Sequence, residues 1–234
     1  MKRCSMTLSF LLLAVLLCGQ TTIDWGVKSG LNVAQHYGTK VADMDISVRS
    51  GMVAGNISGV FLDLNILPNL ALSYELLYSM KGSTQEVVIK NLDGEALVRP
   101  AVMNVDYRID YIELPVLLKI GVFSGAKWKL NAITGSAMSL KVDGKHTLNG
   151  KIYFPEGDTY TVFEVHEQSK LAYLNGFDYS FVYGGSIEYS SKYDLFLEYR
   201  FTLGWDYLRL PTYSDFEPVE LRNQTYSIMA GLRF

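Results

Sequence analysis

Apolar and polar residues alternate with period two through eight long segments, and this constrains the chain more than any other feature. That period belongs to strands with two unlike faces. The first segment, 25–33, sets Trp25, Val27, Leu31 and Val33 against Gly26, Lys28, Gly30 and Asn32. In the second, about 51–64, Val60, Leu62 and Leu64 oppose Gly59, Phe61 and Asp63. The third, 70–81, carries Leu72, Tyr74, Leu76, Tyr78 and Met80 on one face and Ser73, Glu75, Ser79 and Lys81 on the other. In the fourth, 107–123, Ile112, Leu114, Val116, Leu118 and Ile120 face Glu113, Pro115, Lys119 and Gly121. Pro115 cannot donate to a ladder, so a bulge or kink is expected there. The same alternation marks 128–141, 177–189, 195–205 and 226–234. Each segment reaches the length of about ten residues that a tilted strand needs to cross a bilayer.

Connection lengths alternate as well. Tight turns at 67–69, 124–126 and 190–192 are interleaved with long polar connections at about 36–50, 82–106, 143–174 and 206–220. Short turns at one rim and long loops at the other make an antiparallel meander with both termini on the short-turn side. The expected fold is all-β, an eight-stranded antiparallel up-and-down transmembrane β-barrel with long extracellular loops. Within two of those loops, residues around 91–94 and 155–158 are flanked by strand-like runs and read as hairpins that extend the barrel.

Alternation alone does not say which face points outward. Turned inward, the apolar face would make a soluble, lipocalin-like barrel. Turned outward, it would meet lipid. Of the 234 residues, 49% are hydrophobic, 13% aromatic and only 19% charged. The apolar face is rich in large aromatics, more volume than an eight-stranded interior readily holds. The polar face carries Asp63, Glu75, Glu113, Glu188 and Glu198 against Lys28, Lys119, Lys129, Arg200 and Arg233. Five anions against five cations suit a narrow lumen whose buried charges must be paired. Trp25, Trp128, Tyr189 and Phe234 fall at the short-turn ends and Trp205 at a long-loop end, as two aromatic girdles at headgroup level would require. Phe123 and Tyr193 join the first girdle, and Tyr78, Tyr107 and Phe177 the second.

Before the first strand, Lys2 and Arg3 precede an apolar stretch at 8–18, too short to span a bilayer. Residues 1–20 read as a cleaved signal peptide and 21–234 as the barrel domain. Cleavage would remove both cysteines, Cys4 and Cys18, although Cys18 also raises the alternative of acylation. No other run of 18 apolar residues occurs, which excludes helical spans. A formal charge of -3 gives no basic footprint for nucleic acid.

The pieces Gly26-Val-Lys-Ser-Gly-Leu-Asn32, Tyr74-Glu-Leu-Leu-Tyr-Ser-Met-Lys-Gly82, Tyr111-Ile-Glu-Leu-Pro-Val-Leu-Leu-Lys119, Leu195-Phe-Leu-Glu-Tyr-Arg-Phe201 and Ala230-Gly-Leu-Arg-Phe234 resemble the outer-membrane β-barrel domain family common in Bacteroidetes, often labelled PorT-like. The resemblance implies a fold and a place in the outer membrane. It brings no catalytic motif. The terminal Phe234 resembles the signal read by the barrel-assembly machinery, which together with outer-membrane lipid is an implied partner. Named PorT proteins act in type IX secretion, so an accessory role in protein secretion is one alternative.

Chemical motifs are scarce. His36, His146 and His166 fall in or beside the long connections, and His166 lies near Glu164 and Glu167. A lipid-modifying outer-membrane enzyme is the further alternative that these residues raise. No metal-binding, nucleophile-elbow or phosphate-loop pattern occurs, and no cofactor is implied. The expectation is a monomeric, non-enzymatic surface protein with a packed polar interior, binding a protein partner through 82–106 and 143–174.

Overall fold

The structure, a computed structural model, describes residues 22–38, 46–92, 95–156, 159–170, 177–191, 193–205, 208–209 and 220–234. The expected signal peptide, both cysteines and most of the 206–220 connection lie outside the described residues. Ten strands follow in chain order: β1 (Thr22–Gly38), β2 (Ile46–Leu67), β3 (Leu70–Leu92), β4 (Glu95–Ser124), β5 (Trp128–Glu156), β6 (Thr159–Lys170), β7 (Phe177–Ser190), β8 (Asp194–Gly204), β9 (Leu208–Arg209) and β10 (Glu220–Arg233). Eight of them form an antiparallel ring in the order β1-β2-β3-β4-β5-β7-β8-β10, which β1 closes on β10 from Gly26↔Arg233 to Gly38↔Leu221. β6 pairs with β5 and β9 with β10, outside that ring. Closure removes every free edge from this part of the sheet.

The tight turns fall where the sequence places them, after β2, β4 and β7. Both ends of the barrel domain meet on that rim, where Trp25 and Phe234 exchange backbone hydrogen bonds. Pro115 behaves differently from expectation. Its ladder with β5 continues without a shift through Pro115↔Ala137, and only the β3 side loses pairs between Tyr74↔Val116 and Leu77↔Glu113, with the register unchanged. The missing N–H opens the ladder locally without adding a residue.

The outward face of the ring is apolar and exposed. Val27, Leu31, Leu76, Val116, Leu130, Phe181, Leu197, Tyr199 and Ile228 all lie open around the wall. An apolar band encircling a closed barrel is stable only against hydrocarbon, with every backbone group satisfied between strands. The girdle residues stand at its borders: Trp25 is 56% exposed, Trp128 50%, Phe234 50% and Trp205 63%. Trp25 packs on Phe234 at 4.8 Å between ring centroids and Trp128 on Tyr189 at 4.7 Å. Tyr107 departs from the girdle. It faces the mouth of the barrel, with its ring 6.0 Å from His36 and 6.1 Å from His146.

The hairpins expected within the connections 82–106 and 143–174 are present among the described residues. β3 and β4 pair up to Leu92↔Glu95, and β5 and β6 up to Glu156↔Thr159, so most of both stretches is sheet. With 46–52 of β2 they raise a five-stranded sheet above the ring. At about 3.3 Å per residue, the fifteen or so residues of β4 above Ile109 correspond to roughly 50 Å of strand.

Candidate functional site

Two places collect chemistry-bearing side chains, the lumen and the raised sheet. In the lumen Glu75 of β3 is the hub. Arg200 of β8 donates two hydrogen bonds to its carboxylate at 2.8 and 2.6 Å, and Lys28 of β1 donates a third at 2.7 Å. Lys28 also reaches Glu198 at 3.2 Å, and Arg200 Nε pairs with the same carboxylate. Towards the short-turn rim, Lys119 holds Asp63 at 3.0 Å, and Arg233 grips Glu188 at 2.8 and 2.7 Å while lying 3.3 Å from Asp63. Asn131 of β5 donates to Glu188 at 2.7 Å, so all eight ring strands contribute a residue.

Lys129 is the exception among the ten expected lumen charges. It is half-buried beside the rim and makes no ion pair among the described residues, because Arg233 and Asn131 already occupy Glu188, its register neighbour. Lys81 takes its place, buried and 2.7 Å from Glu113. The balance remains five against five, and buried Asp178 adds a carboxylate that accepts a hydrogen bond from Asn223 at 2.7 Å. Pairing of this density offsets the large cost of keeping ions away from water.

The interior departs from the expected packed polar filling, because apolar side chains stand between the charges. Leu117, Ile133, Ala137 and Val182 form one buried cluster, and Ile57, Leu77 and Met229 another. Phe61 and Phe196 meet edge to face at 5.4 Å, with the Lys119 ammonium 4.8 Å from the Phe61 centroid. Gly26 and Gly231 make room for these rings: a methyl group on Gly26 would overlap Phe61, and one on Gly231 would overlap Phe196. Side chains thus fill much of the lumen, as the width of an eight-stranded barrel leads one to expect.

At the mouth, Ser83 Oγ lies 2.7 Å from His36 Nδ1. Both residues are buried, and the bond lies inside the barrel. His166 bonds to Asn149, and Glu164 bonds to Lys151 at 2.6 Å. Glu167 points to the opposite face of β6, so the three residues do not form one constellation. Among the described residues no group of three or more His, Cys, Asp or Glu side chains is placed to hold a metal ion.

The raised sheet reverses the polarity of the ring. In β5, Val142 is an extra residue between Asp110↔Asp143 and Tyr111↔Lys141. That bulge swaps which side chains point inward above it. Leu148 and Ile152 of β5 thereby join Val87 and Ile89 of β3 and Ala101, Met103 and Val105 of β4, which keep the inward parity they have in the ring, and Val165 of β6 on the face above the lumen, where all are buried or half-buried. The outward face carries Thr84, Glu86, Asn104, Asp106, Lys151, Glu164, His166 and Gln168. A groove of about 600 Å³ crosses it between Pro100, Asn104, Asn149, Tyr153, Glu164 and His166. Lipid must therefore lie against the ring and water against the raised sheet.

A family model described as "Outer membrane protein beta-barrel domain" matches residues 18–205. No curated protein matches the chain. Similar solved structures include the outer membrane protease OmpT from Escherichia coli, 8% identical over 91% of this chain and 96% of that one, with a TM-score of 0.49. OprG from Pseudomonas aeruginosa is 11% identical over 92% and 98%, with a TM-score of 0.44. Ail, the attachment invasion locus protein of Yersinia pestis, is 9% identical over 90% and 98%, with a TM-score of 0.36. Likenesses this distant carry no argument about activity.

Proposed function

Because the chain belongs to the outer membrane protein beta-barrel domain family and so resides in the outer membrane, we propose that it is a non-enzymatic anchor that presents its raised sheet to protein partners at the cell surface. One contrast carries this reading: paired charges and apolar side chains pack the lumen, whereas the five-stranded sheet extends beyond the ring. Outer-membrane barrels keep their short turns in the periplasm and their long connections outside, which puts the raised sheet on the cell surface. Residues 1–20 serve in this reading as the export signal, and Phe234 as the terminal mark for barrel assembly. In this reading the chain is one of the PorT-like barrels within the family, which the resemblance of Tyr111 to Lys119 supports.

The test is a variant in which the raised parts of β3–β4 and β5–β6 are replaced by short turns. Proximity labelling on whole cells should recover surface proteins with the parent chain and lose them with the variant, while the heat-modifiable gel shift of a folded barrel persists in both. Steady channel currents from the parent in planar bilayers, or unchanged labelling with the variant, would overturn the proposal.

A further inference from the structure

The lipid-facing wall of the ring is notched on β5. There the outward position between Val116 of β4 and Phe181 of β7 is held by Ser136. A small side chain among large neighbours leaves a cavity of about 230 Å³, bordered by Leu114, Met138, Tyr179 and Phe181 and flanked by Trp205, which meets Phe181 edge on at 5.4 Å. Pockets that enclose a whole small molecule run from about 300 to 1,000 Å³. This one is smaller and lies where hydrocarbon surrounds the barrel, so it suits one chain of a larger amphiphile.

Higher on the same two strands stands a row of cations. Arg108 of β4 is in register with Lys145 of β5, and Lys145 with Lys170 of β6, all three exposed on the outward face. Like charges set directly across strands repel, and an anion laid over the row would relieve that repulsion. None of the three makes an ion pair among the described residues. The neighbouring acids do not discharge them. One row below, Asp110 is hydrogen-bonded by Tyr78, and Asp143 accepts the Gly144 N–H at 2.9 Å. Asp106, one row above, forms no ion pair with the row either.

Spacing joins the two features. Between them lies the outer girdle, where Tyr78 and Phe177 flank Ile112 and Leu140 in one register row. From Val116 beside the notch up to Arg108 the strand covers about 26 Å at about 3.3 Å per residue, or about 20 Å of height at a tilt of about 40°. One leaflet with its headgroups is about 20–22 Å deep. The notch and the row therefore stand one lipid length apart, and the long stems of arginine and lysine bring their charges to phosphate level.

We infer that this strip of β4 and β5 is a specific site for a phosphorylated, sugar-based lipid of the outer leaflet, with a phosphate on Arg108 and Lys145 and an acyl chain in the notch at Ser136. The acids between the two ends select the headgroup. A glycerophospholipid has only ester oxygens between its phosphate and its chains, which Asp110 and Asp143 would repel. A sugar carries hydroxyl and amide donors there, which both carboxylates can accept. Charge-assisted contacts hold the head, and the chain in the wall fixes its depth. The site goes beyond the anchoring reading and does not require a protein partner on the raised sheet.

The full chain, stripped of lipid in detergent, tests this when offered one probe at a time: diphosphorylated lipid A, the same lipid without its phosphates, or phosphatidylglycerol. Native mass spectrometry counts the lipids retained by the folded chain. Lipid A should add as a single copy. Removing its phosphates, or combining Arg108→Gln with Lys145→Gln, should weaken that adduct about tenfold or more. Ser136→Phe, which fills the notch, should weaken it about fivefold while the heat-modifiable gel shift persists; Ser136→Leu replaces it if the larger side chain prevents folding. Ala230→Phe, at an exposed outward position across the ring on β10, and Lys151→Gln on the raised sheet should leave the adduct unchanged. Retention that survives the paired charge variant or the filled notch overturns the inference, as does an equal loss with Ala230→Phe. Phosphatidylglycerol held as tightly as lipid A overturns it in favour of anionic lipid without selection. Loss of surface partners by the shortened-sheet variant would stand in either case, because that variant reports on the raised sheet alone.

Discussion

The ring and the raised sheet are built from the same strands, yet they solve opposite problems. In the ring, apolar residues such as Leu197 and Ile228 face out and ions such as Glu75 and Arg200 face in. In the raised sheet the order reverses, with Ile89, Ala101 and Leu148 inward and Glu86, Asn104 and Lys151 outward. Strand geometry is common to both regions, and only the surrounding solvent differs. The alternation therefore reports a difference between the two sides of a sheet, and the sign of that difference reports whether lipid or water lies outside. The ring hides its edges by closing on itself. Among the described residues the raised sheet does not close.

Removal of one lumen ion should show the largest difference between the regions. Glu75→Ala leaves Arg200 and Lys28 with only Glu198 between them inside a closed wall. Stranding buried cations in this way is expected to cost about 3–5 kcal/mol. Glu164→Ala, which breaks the exposed pair with Lys151, should leave the unfolding midpoint where it was. Urea unfolding in detergent measures both. Equal effects would mean that the lumen is wet and the contrast between regions false.

The next largest effect tests the reversal itself. Ile228 is 58% exposed in the middle of the outward wall, and Ile228→Arg should cost about 2–4 kcal/mol if hydrocarbon surrounds it. Asn104→Arg places the same charge on the same side of the raised sheet and should change stability by less than about 0.5 kcal/mol. Folding into lipid vesicles reports the first cost. Repeating the comparison in a detergent with a thinner apolar belt would locate the boundary between the two environments.

Packing should separate the regions by a smaller margin. A side chain at Gly231 would overlap the Phe196 ring, which Phe61 holds edge to face, so Gly231→Ala is expected to cost about 1–3 kcal/mol. Phe196→Leu in the same chain should recover part of that loss. At Gly150 in the raised sheet, an added methyl would meet the flexible Met103 side chain at 2.9 Å, which can turn aside, and Gly150→Ala should be milder. Thermal unfolding of the three variants and the double variant settles the order.

Period two made the ring legible, along with its tight turns, its outward apolar face and nine of its eleven charged lumen residues. It did not reveal which charges meet. Lys81 and Lys129 both occur on polar faces in the sequence, and parity alone cannot tell a side chain at mid-barrel from one at the rim. Nor did it show that Phe61, Leu77 and Phe196 plug the lumen, since each stands among polar or small neighbours whose face was read as polar throughout. The raised sheet was harder still. Carried upward from Trp128 and Leu130, the alternation would send Leu148 and Ile152 outward, but the bulge at Val142 turns them in. A bulge costs one residue and leaves almost no mark in the sequence. The strand-like runs within 82–106 and 143–174 did mark the two hairpins, but not that these join each other and 46–52 in one sheet, because that pairing depends on contacts distant in sequence.

The smallest expected effect concerns the pair that ties β6 to the rest of the raised sheet. Lys151 donates to Glu164 at 2.6 Å across the β5–β6 ladder, and this hydrogen bond holds the Glu164 carboxyl below the usual glutamate range. A carboxylate whose pKa is lower in the folded state stabilises that state above its unfolded pKa and ceases to do so as pH falls through the folded value. The contribution is therefore present at neutral pH and disappears in acid, never the reverse. Both side chains are fully open to water, so screening keeps the effect small and salt should reduce it further. Amide exchange along β6, corrected for its intrinsic pH dependence, should show slightly faster opening below the glutamate range in the parent chain. Lys151→Gln should remove that acid dependence. It should also leave the ring untouched at every pH, because closure on β10 holds the ring without help from β6. An acid-induced loosening that spread from β6 into β7 or β8 would mean that the raised sheet and the ring open as one unit, and the division between them would fail.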